Sequence, residues 1–119
     1  MVNLPYKTRA LFWLGDSKES LSAFPTPAKR VLGFAIRQVQ NGVSPDISVP
    51  LSSFGSGVYE LKAGASGEAY RVVYVLKLRR GVYVVDAFQK KSKSGKALPK
   101  EIRERIEMRL AFARRVDTE

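Results

Sequence analysis

The chain has 119 residues, of which 21 are Lys or Arg and 11 are Asp or Glu, so its formal net charge is +10. A positive excess of this size attracts polyanions, and nucleic acid or another acidic partner is the expected class of ligand. Because the sequence holds no cysteine and no histidine, disulfides, thiolate or imidazole metal sites and imidazole acid–base catalysis are excluded. Any chemistry must therefore use Lys, Arg, Tyr, Ser, Thr or carboxylate side chains.

The length fits a single domain over residues 1–119. The N-terminus lacks the apolar segment of a signal peptide, and no stretch approaches the ~20 apolar residues needed to cross a bilayer. We therefore expect a cytoplasmic protein with no membrane partner.

A short strand and a short helix are predicted first along the chain. Thr8–Gly15 is a compact apolar run ended by glycine, which is typical of a buried strand. Asp16 and Glu19 have the spacing of a capping box, in which the aspartate accepts a backbone N–H and the glutamate reaches back. A helix is expected from there to about Phe24, and Pro25 ends it.

A longer helix is predicted next. Thr26 offers a hydroxyl cap, and Pro27 fits the first helical position, where its missing N–H costs nothing. Asn41-Gly42 supplies a C-terminal stop. The apolar residues between these signals fall on one face at about 100° per residue, and they are Ala28, Val31, Leu32, Ala35, Ile36 and Val39.

The middle of the chain predicts a loop and then three strands. Val43–Ser56 is rich in Ser, Pro and Gly, and the strands follow over Val58–Ala63, Ala69–Leu78 and Val82–Gln89. The connections are too short for helical crossovers, so the three strands should form an antiparallel meander. The middle strand is apolar on both faces, which indicates a central strand covered on both sides.

Pro99 opens the last predicted helix, whose core stripe is Ile102, Ile106, Leu110 and Ala113. The element order is β-α-α-β-β-β-α. This order predicts an α+β domain in which helices pack on a mostly antiparallel, four-stranded sheet.

The segment Phe88–Lys100 is the most informative one for function. Ammonium groups on a Ser/Gly loop suit phosphate binding, because each neutralised phosphate releases condensed counterion. Phe88 beside them offers a face for base stacking. The alternative is a solvated loop with Phe88 in the core. The segment holds no acid and five lysines, which are Lys90, Lys91, Lys93, Lys96 and Lys100.

Arg71 is the second candidate, because a charge in a strand that is apolar on both faces is costly unless it is paired or borders a site. A tight turn at Arg80-Gly81 would pair Arg71 with Lys90, and one further loop residue would place it on the face of Lys91. Either register concentrates positive charge at one end of the sheet.

The alternative for Arg71 is a salt bridge to Glu60 or Glu68. Lys62, which ends the preceding strand, is expected to reach the same end of the sheet. In a basic cluster, like-charge repulsion favours the neutral amine, so a lysine can exchange protons near neutrality. The cluster also stabilises charge that develops on a phosphorane. Without histidine, this is the RNA-cleaving chemistry that the residues support.

Several segments occur in a familiar order along the chain. They are LFWLG at 11–15, GVYEL at 57–61, YRVVY at 70–74, AFQKKS at 87–92 and the helix over 99–109. Together they resemble the phage-related, HigB-like branch of the RelE toxin superfamily. The likeness runs from about residue 9 to residue 114, which is taken as the core of the domain.

The resemblance implies a RelE-like, microbial ribonuclease-type fold and the toxin of a type II toxin–antitoxin system. Typical members are ribosome-dependent mRNA endonucleases in which a 2′-hydroxyl attacks the adjacent phosphate. A cognate helix-turn-helix antitoxin holds them inactive and provides their only link to operator DNA. By the same resemblance, Arg71 contacts the scissile phosphate, Lys91 supports the transition state or leaving group, and Lys62 lies near the nucleophile. No metal and no cofactor is implied.

Two features depart from the family pattern. The last helix ends in Ala111–Arg115 without the His or Tyr of many toxins, and Asp86 stands where close relatives often have histidine. They favour an alternative, a non-catalytic protein that binds RNA or the ribosome. A third hypothesis is a regulatory partner that acts in complex with its antitoxin on operator DNA.

Met108 and Phe112 are the candidate partner contact. They are four residues apart on the last helix and lie away from its core stripe, so we expect them to be exposed. Such side chains are enriched at protein interfaces. The expected partner is the antitoxin or a second copy of the chain, and the alternative is that the loop Val43–Ser56 covers them.

Overall fold

The computed structural model describes residues 8–76, 78–90 and 98–119. The predicted α+β class is confirmed. No helix in these ranges is long and apolar enough to cross a membrane. Within the described residues the elements are β1 (Leu11–Trp13), α1 (Ser17–Ser22), α2 (Thr26–Gln40), β2 (Ser48–Pro50), a 3-10 turn (Ser52–Phe54), β3 (Val58–Ala65), β4 (Glu68–Val75), β5 (Val82–Lys90) and α3 (Lys100–Asp117).

The five strands form one sheet with the order β1-β5-β4-β3-β2. The predicted meander of β3, β4 and β5 is confirmed, and β1 adds to it in parallel with β5. The prediction of four strands is wrong, because Ser48–Pro50 pairs antiparallel with β3 inside the predicted loop. An edge strand of three residues is too short to show a period in the sequence.

Helices cover both faces of the sheet. Val72 and Val73 point to opposite sides of β4, and both are fully buried, as expected of a central strand. On the side of Val72 the core includes Leu32 of α2. On the side of Val73 it includes Ile106 and Leu110 of α3.

The starts of α1 and α2 differ from the prediction. Among the described residues, the side chain of Asp16 makes no capping hydrogen bond, because its carboxylate binds Arg109 instead. Helix α2 begins at Thr26 with Pro25 in the capping position, so the threonine hydroxyl is not the cap. Val31, predicted as a core residue, is 46% exposed, because it lies about 100° around the helix from Leu32.

Candidate functional site

Basic side chains share one face of the sheet where β3 and β5 end and β4 begins. Lys62 and Arg71 are direct cross-strand partners, and Arg71 faces Phe88 on its other side. Lys90 pairs with Ala69, two positions along β4, so it lies on the same face as Arg71. This is the α3 side of the sheet. We refer to Lys62, Arg71 and Lys90 as the basic face.

The register between β4 and β5 is neither of the two predicted ones. Arg71 lies opposite Phe88 because the link between the strands runs over residues 76–81 rather than through a two-residue turn. A β-bulge leaves Val85 without a partner in this ladder. A shift by two residues keeps side chains on the same face, so Lys90 still lies on the face of Arg71.

The prediction that Phe88 stacks on a base is corrected by its burial. Its ring is 7% exposed and packs in the core on the α3 side, near Ile106. The remaining predicted contacts on the lysine-rich segment, Lys91, Lys93 and Lys96, lie outside the described residues.

Arg71 is held in place by Glu60 on the neighbouring strand. Its Nη1 donates to Oε1 of Glu60 at 2.6 Å, and the two side chains are 13% and 4% exposed. Glu68, the other candidate partner, accepts a hydrogen bond from Gln89. The Nε of Arg71 is buried and has no hydrogen-bond partner among the described residues. An unpaired buried donor is costly, so an acceptor that reached this N–H group would stabilise the arrangement.

Asp86 on β5 is fully buried and is neutralised by two arginines of α3. Nε of Arg105 donates to its Oδ2 at 2.8 Å, and Nη1 of Arg109 donates to its Oδ1 at 3.3 Å. Nη1 of Arg109 also donates to the carbonyl of Val85, and Nη2 donates to Asp16 at 2.8 Å. The hydrogen bond from Arg109 lowers the pKa of the Asp16 carboxyl. The network joins β5, α3 and the start of α1.

Sequence reasoning missed this network, although a signal for it existed. A lone acid in the apolar strand of Asp86 needs a cationic partner. Arg105 and Arg109 are four residues apart, and each precedes a core residue of α3. The two arginines offset the negative charge of Asp86.

A second buried carboxylate, that of Asp117, accepts three hydrogen bonds at the C-terminal end of α3. It accepts hydrogen bonds from the backbone N–H groups of Arg79 and Arg80 at 2.7 and 2.8 Å, and from the Tyr83 hydroxyl at 3.2 Å. Burial opposes ionisation of Asp117, but the hydrogen bonds from Arg79, Arg80 and Tyr83 together with the charge of Arg79 outweigh it, and its pKa lies below the usual value. Burial, and then the nearby carboxylate, raise the pKa of Tyr83. Asp117 therefore anchors the β4–β5 link to α3.

Met108 and Phe112 lie exposed on α3, as predicted. Their exposed fractions are 66% and 45%, so the alternative that residues 43–56 cover them is wrong. The guanidinium carbon of Arg115 lies 5.4 Å from the centroid of the Phe112 ring. Over the described ranges, no group of three or more acidic side chains could hold a metal ion.

The family described as Phage derived protein Gp49-like matches residues 19–111, which span α2, all the strands from β2 to β5 and most of α3. The chain belongs to this family. The Gp49-like family is a toxin-type family related to RelE-like toxins, and at the family level the chain is a toxin of the toxin–antitoxin class. No curated protein matches the chain.

Proposed function

We propose that this Gp49-like protein is the toxin of a two-gene system and that it cleaves mRNA on the ribosome. The observation that carries the proposal is the buried Nε donor of Arg71, which lies between Lys62 and Lys90 on one face of the sheet. Membership of a toxin-type family supports the same conclusion. The net charge of +10 favours binding to RNA of any sequence.

The proposed reaction is a transesterification that moves the phosphoryl group from the 5′-oxygen to the 2′-oxygen and leaves a 2′,3′-cyclic phosphate on the upstream fragment. The 2′-oxygen attacks the adjacent phosphorus and loses its proton, the bond to the 5′-oxygen breaks, and that oxygen takes up a proton. Arg71 binds the non-bridging oxygens, where charge develops, and Glu60 holds its guanidinium in place. By resemblance, Lys62 acts near the nucleophile and Lys91 near the leaving group.

The test is incubation of purified protein with ribosomes that are translating a defined mRNA. The reaction leaves a 5′-hydroxyl on the downstream fragment, so end-labelling without prior phosphatase treatment detects it. Lys62→Ala and Arg71→Ala should each slow cleavage by about 100- to 1,000-fold. Lys29→Ala is the matched control, because Lys29 is an exposed lysine on α2, across the sheet.

Arg71→Ala also leaves Glu60 without its partner, so the double variant Glu60→Gln/Arg71→Ala is measured beside it, and circular dichroism verifies that each variant is folded. Intact mRNA after incubation with the wild-type protein, together with unimpaired growth when the chain is expressed alone, would contradict the proposal.

The second candidate is a non-catalytic protein that binds RNA or the ribosome. The specific observation in its favour is the Glu60 carboxylate 2.6 Å from Arg71, which offsets the charge of that guanidinium. The absence of histidine from the sequence points the same way. This candidate predicts that the protein sediments with ribosomes while the mRNA keeps its full length.

We further propose that a helix-turn-helix antitoxin binds this protein and contacts Met108 and Phe112. Their exposure on α3 supports the proposal. Operator DNA is then reached through the antitoxin. Growth inhibition by the chain alone, relieved by the product of an adjacent reading frame, tests this pairing.

A further inference from the structure

An apolar groove lies on the α2 side of the sheet, across from the basic face. It is an open depression of about 310 Å³ between the outer surface of α2 and the segment that follows the helix. Val31, Phe34 and Val43 line it and are 46%, 66% and 46% exposed. Ile47 continues the apolar wall. Exposed apolar side chains that adjoin one another mark binding surfaces more often than isolated ones do.

Positive charge borders the groove along its outer rim. At about 100° per residue, Arg30 and Arg37 lie about 40° to 60° around α2 from Phe34, on the side away from Val31. Both arginines are exposed. Asp46 is the acidic residue among those that line the groove. The two arginines carry more positive charge than Asp46 offsets, so this rim of the groove has an excess of positive charge.

We infer that this groove binds an amphipathic helix of a partner protein, with apolar side chains on one face and acidic residues flanking them. Helix-in-groove recognition places apolar anchors at positions i, i+3 or i+4 and i+7, and the exposed side chains of Val31, Phe34 and Val43 line the groove that such anchors would enter. Acidic flanks would meet Arg30 and Arg37.

A second copy of this chain is the poorer occupant, because each copy carries a net charge of +10 and like charges repel. The groove and the basic face lie on opposite sides of the sheet, since α2 packs on the side of Val72 and Arg71 points to the side of Val73. An occupied groove therefore leaves the basic face open. The inference does not depend on RNA cleavage.

The test uses a fluorescein-labelled synthetic helical peptide of about four turns, with leucine along one face and glutamate on both flanks. A second peptide carries lysine at each glutamate position. Binding to the full chain is followed by fluorescence anisotropy in physiological salt. The chain variants are Val31→Gln/Phe34→Gln in the groove and, as the control, Glu107→Gln/Ala111→Gln at two exposed positions of α3 across the sheet.

The acidic peptide should bind saturably, and the groove variant should weaken binding by at least about tenfold. The α3 variant should bind as the wild type does, and the lysine peptide should bind more weakly than the acidic one. Arg30→Glu/Arg37→Glu should reverse the preference between the peptides.

Three results would overturn the inference: no saturable binding, an equal effect of the two double variants, or a preference of the wild type for the lysine peptide. A wild-type dimer in sedimentation experiments that Val31→Gln/Phe34→Gln dissociates would assign the groove to a second copy instead. None of these measurements uses RNA, so their failure is separate from a failure of the proposed cleavage.

Discussion

The carboxylate of Glu60 and the guanidinium of Arg71 form a buried ion pair between neighbouring strands, with Oε1 2.6 Å from Nη1. Replacing only Arg71 by methionine leaves the Glu60 charge buried without its partner. We expect this variant to lose about 3 kcal/mol in the free energy of unfolding. Urea denaturation followed by circular dichroism measures the loss.

The double variant Glu60→Leu/Arg71→Met is the control for that pair. Because it removes both charges together, it should recover most of the lost stability. An Arg71→Met variant as stable as the wild type would show that the ion pair with Glu60 does not stabilise the fold.

Salt dependence should show whether the lysine-rich segment touches phosphates. Changing Lys90, Lys91, Lys93 and Lys96 together to Gln should flatten the log–log slope of RNA affinity against salt by about two to three units, at about 0.7 per phosphate on a single strand. The matched control changes Lys18, Lys29, Arg30 and Arg37 to Gln, which removes the same charge from α1 and α2. Equal slopes for the two quadruple variants would leave the segment without a specific role.

Asp86 should be more important for stability than the arginine beside it. Asp86→Ala leaves Arg105 and Arg109 without the carboxylate that both of them bind. It should lower the free energy of unfolding by about 3 kcal/mol. Arg105→Ala should cost less, because Arg109 still pairs with Asp86 in that variant. Urea denaturation of the two single variants compares them. A larger effect for Arg105→Ala would show that packing of its stem outweighs the ion pair.

The Asp117 carboxylate should make stability depend on pH in the acidic range. Its pKa is lower in the folded chain than the ordinary value of 3.8. A group of this kind stabilises the fold above its unfolded-state pKa, and the contribution disappears as the pH falls through the folded-state pKa. Asp117→Asn should therefore lower stability at pH 7, and the difference from the wild type should shrink below about pH 4.

Denaturation midpoints in urea at pH 7, 5 and 3 test this dependence on Asp117. Asp46→Asn is the control, because Asp46 is an exposed carboxylate on the loop after α2. A difference between Asp117→Asn and the wild type that stays constant from pH 7 to pH 3 would show that hydrogen-bond geometry, rather than ionisation, is responsible.

The exposed pair on α3 should affect binding of the antitoxin and leave folding intact. Met108→Gln/Phe112→Gln should weaken the complex with the product of the adjacent reading frame by at least about tenfold. Isothermal titration calorimetry measures the affinity, and Glu107→Gln/Ala111→Gln serves as the control on neighbouring exposed positions of α3. Normal binding by the first variant, or its unfolding, would remove this surface from the proposed interface.

Local sequence patterns correctly predicted much of the fold. The signals for the helices and the meander all lie within a few residues of the elements they define. They are the apolar period of α2 and α3, the short links between β3, β4 and β5, and the helix start and stop residues Pro25, Pro99 and Asn41-Gly42. Helical spacing likewise placed Met108 and Phe112 away from the core. Periodicity and turn chemistry are properties of neighbouring residues, so one sequence is enough to reveal them.

Contacts between distant segments depended on the tertiary structure. The bulge at Val85 and the length of the β4–β5 link set Arg71 against Phe88, and a register is a relation between two strands that neither strand encodes alone. The choice of Glu60 over Glu68 as the partner of Arg71 followed from the register of β3 against β4, which sets Glu60 opposite Val73 on the same face as Arg71.

The sequence by itself determined that lysine and arginine are the cationic side chains with which this histidine-free protein could bind an anion, because composition and charge do not depend on the fold. Only the packing of α3 on β5 decided that Arg105 and Arg109 neutralise Asp86. Only the position of Val31 at the edge of the buried face of α2 opened the apolar groove. In both cases the deciding relation is a contact between segments far apart in the sequence, and the packing of the whole core sets which residues such a contact brings together.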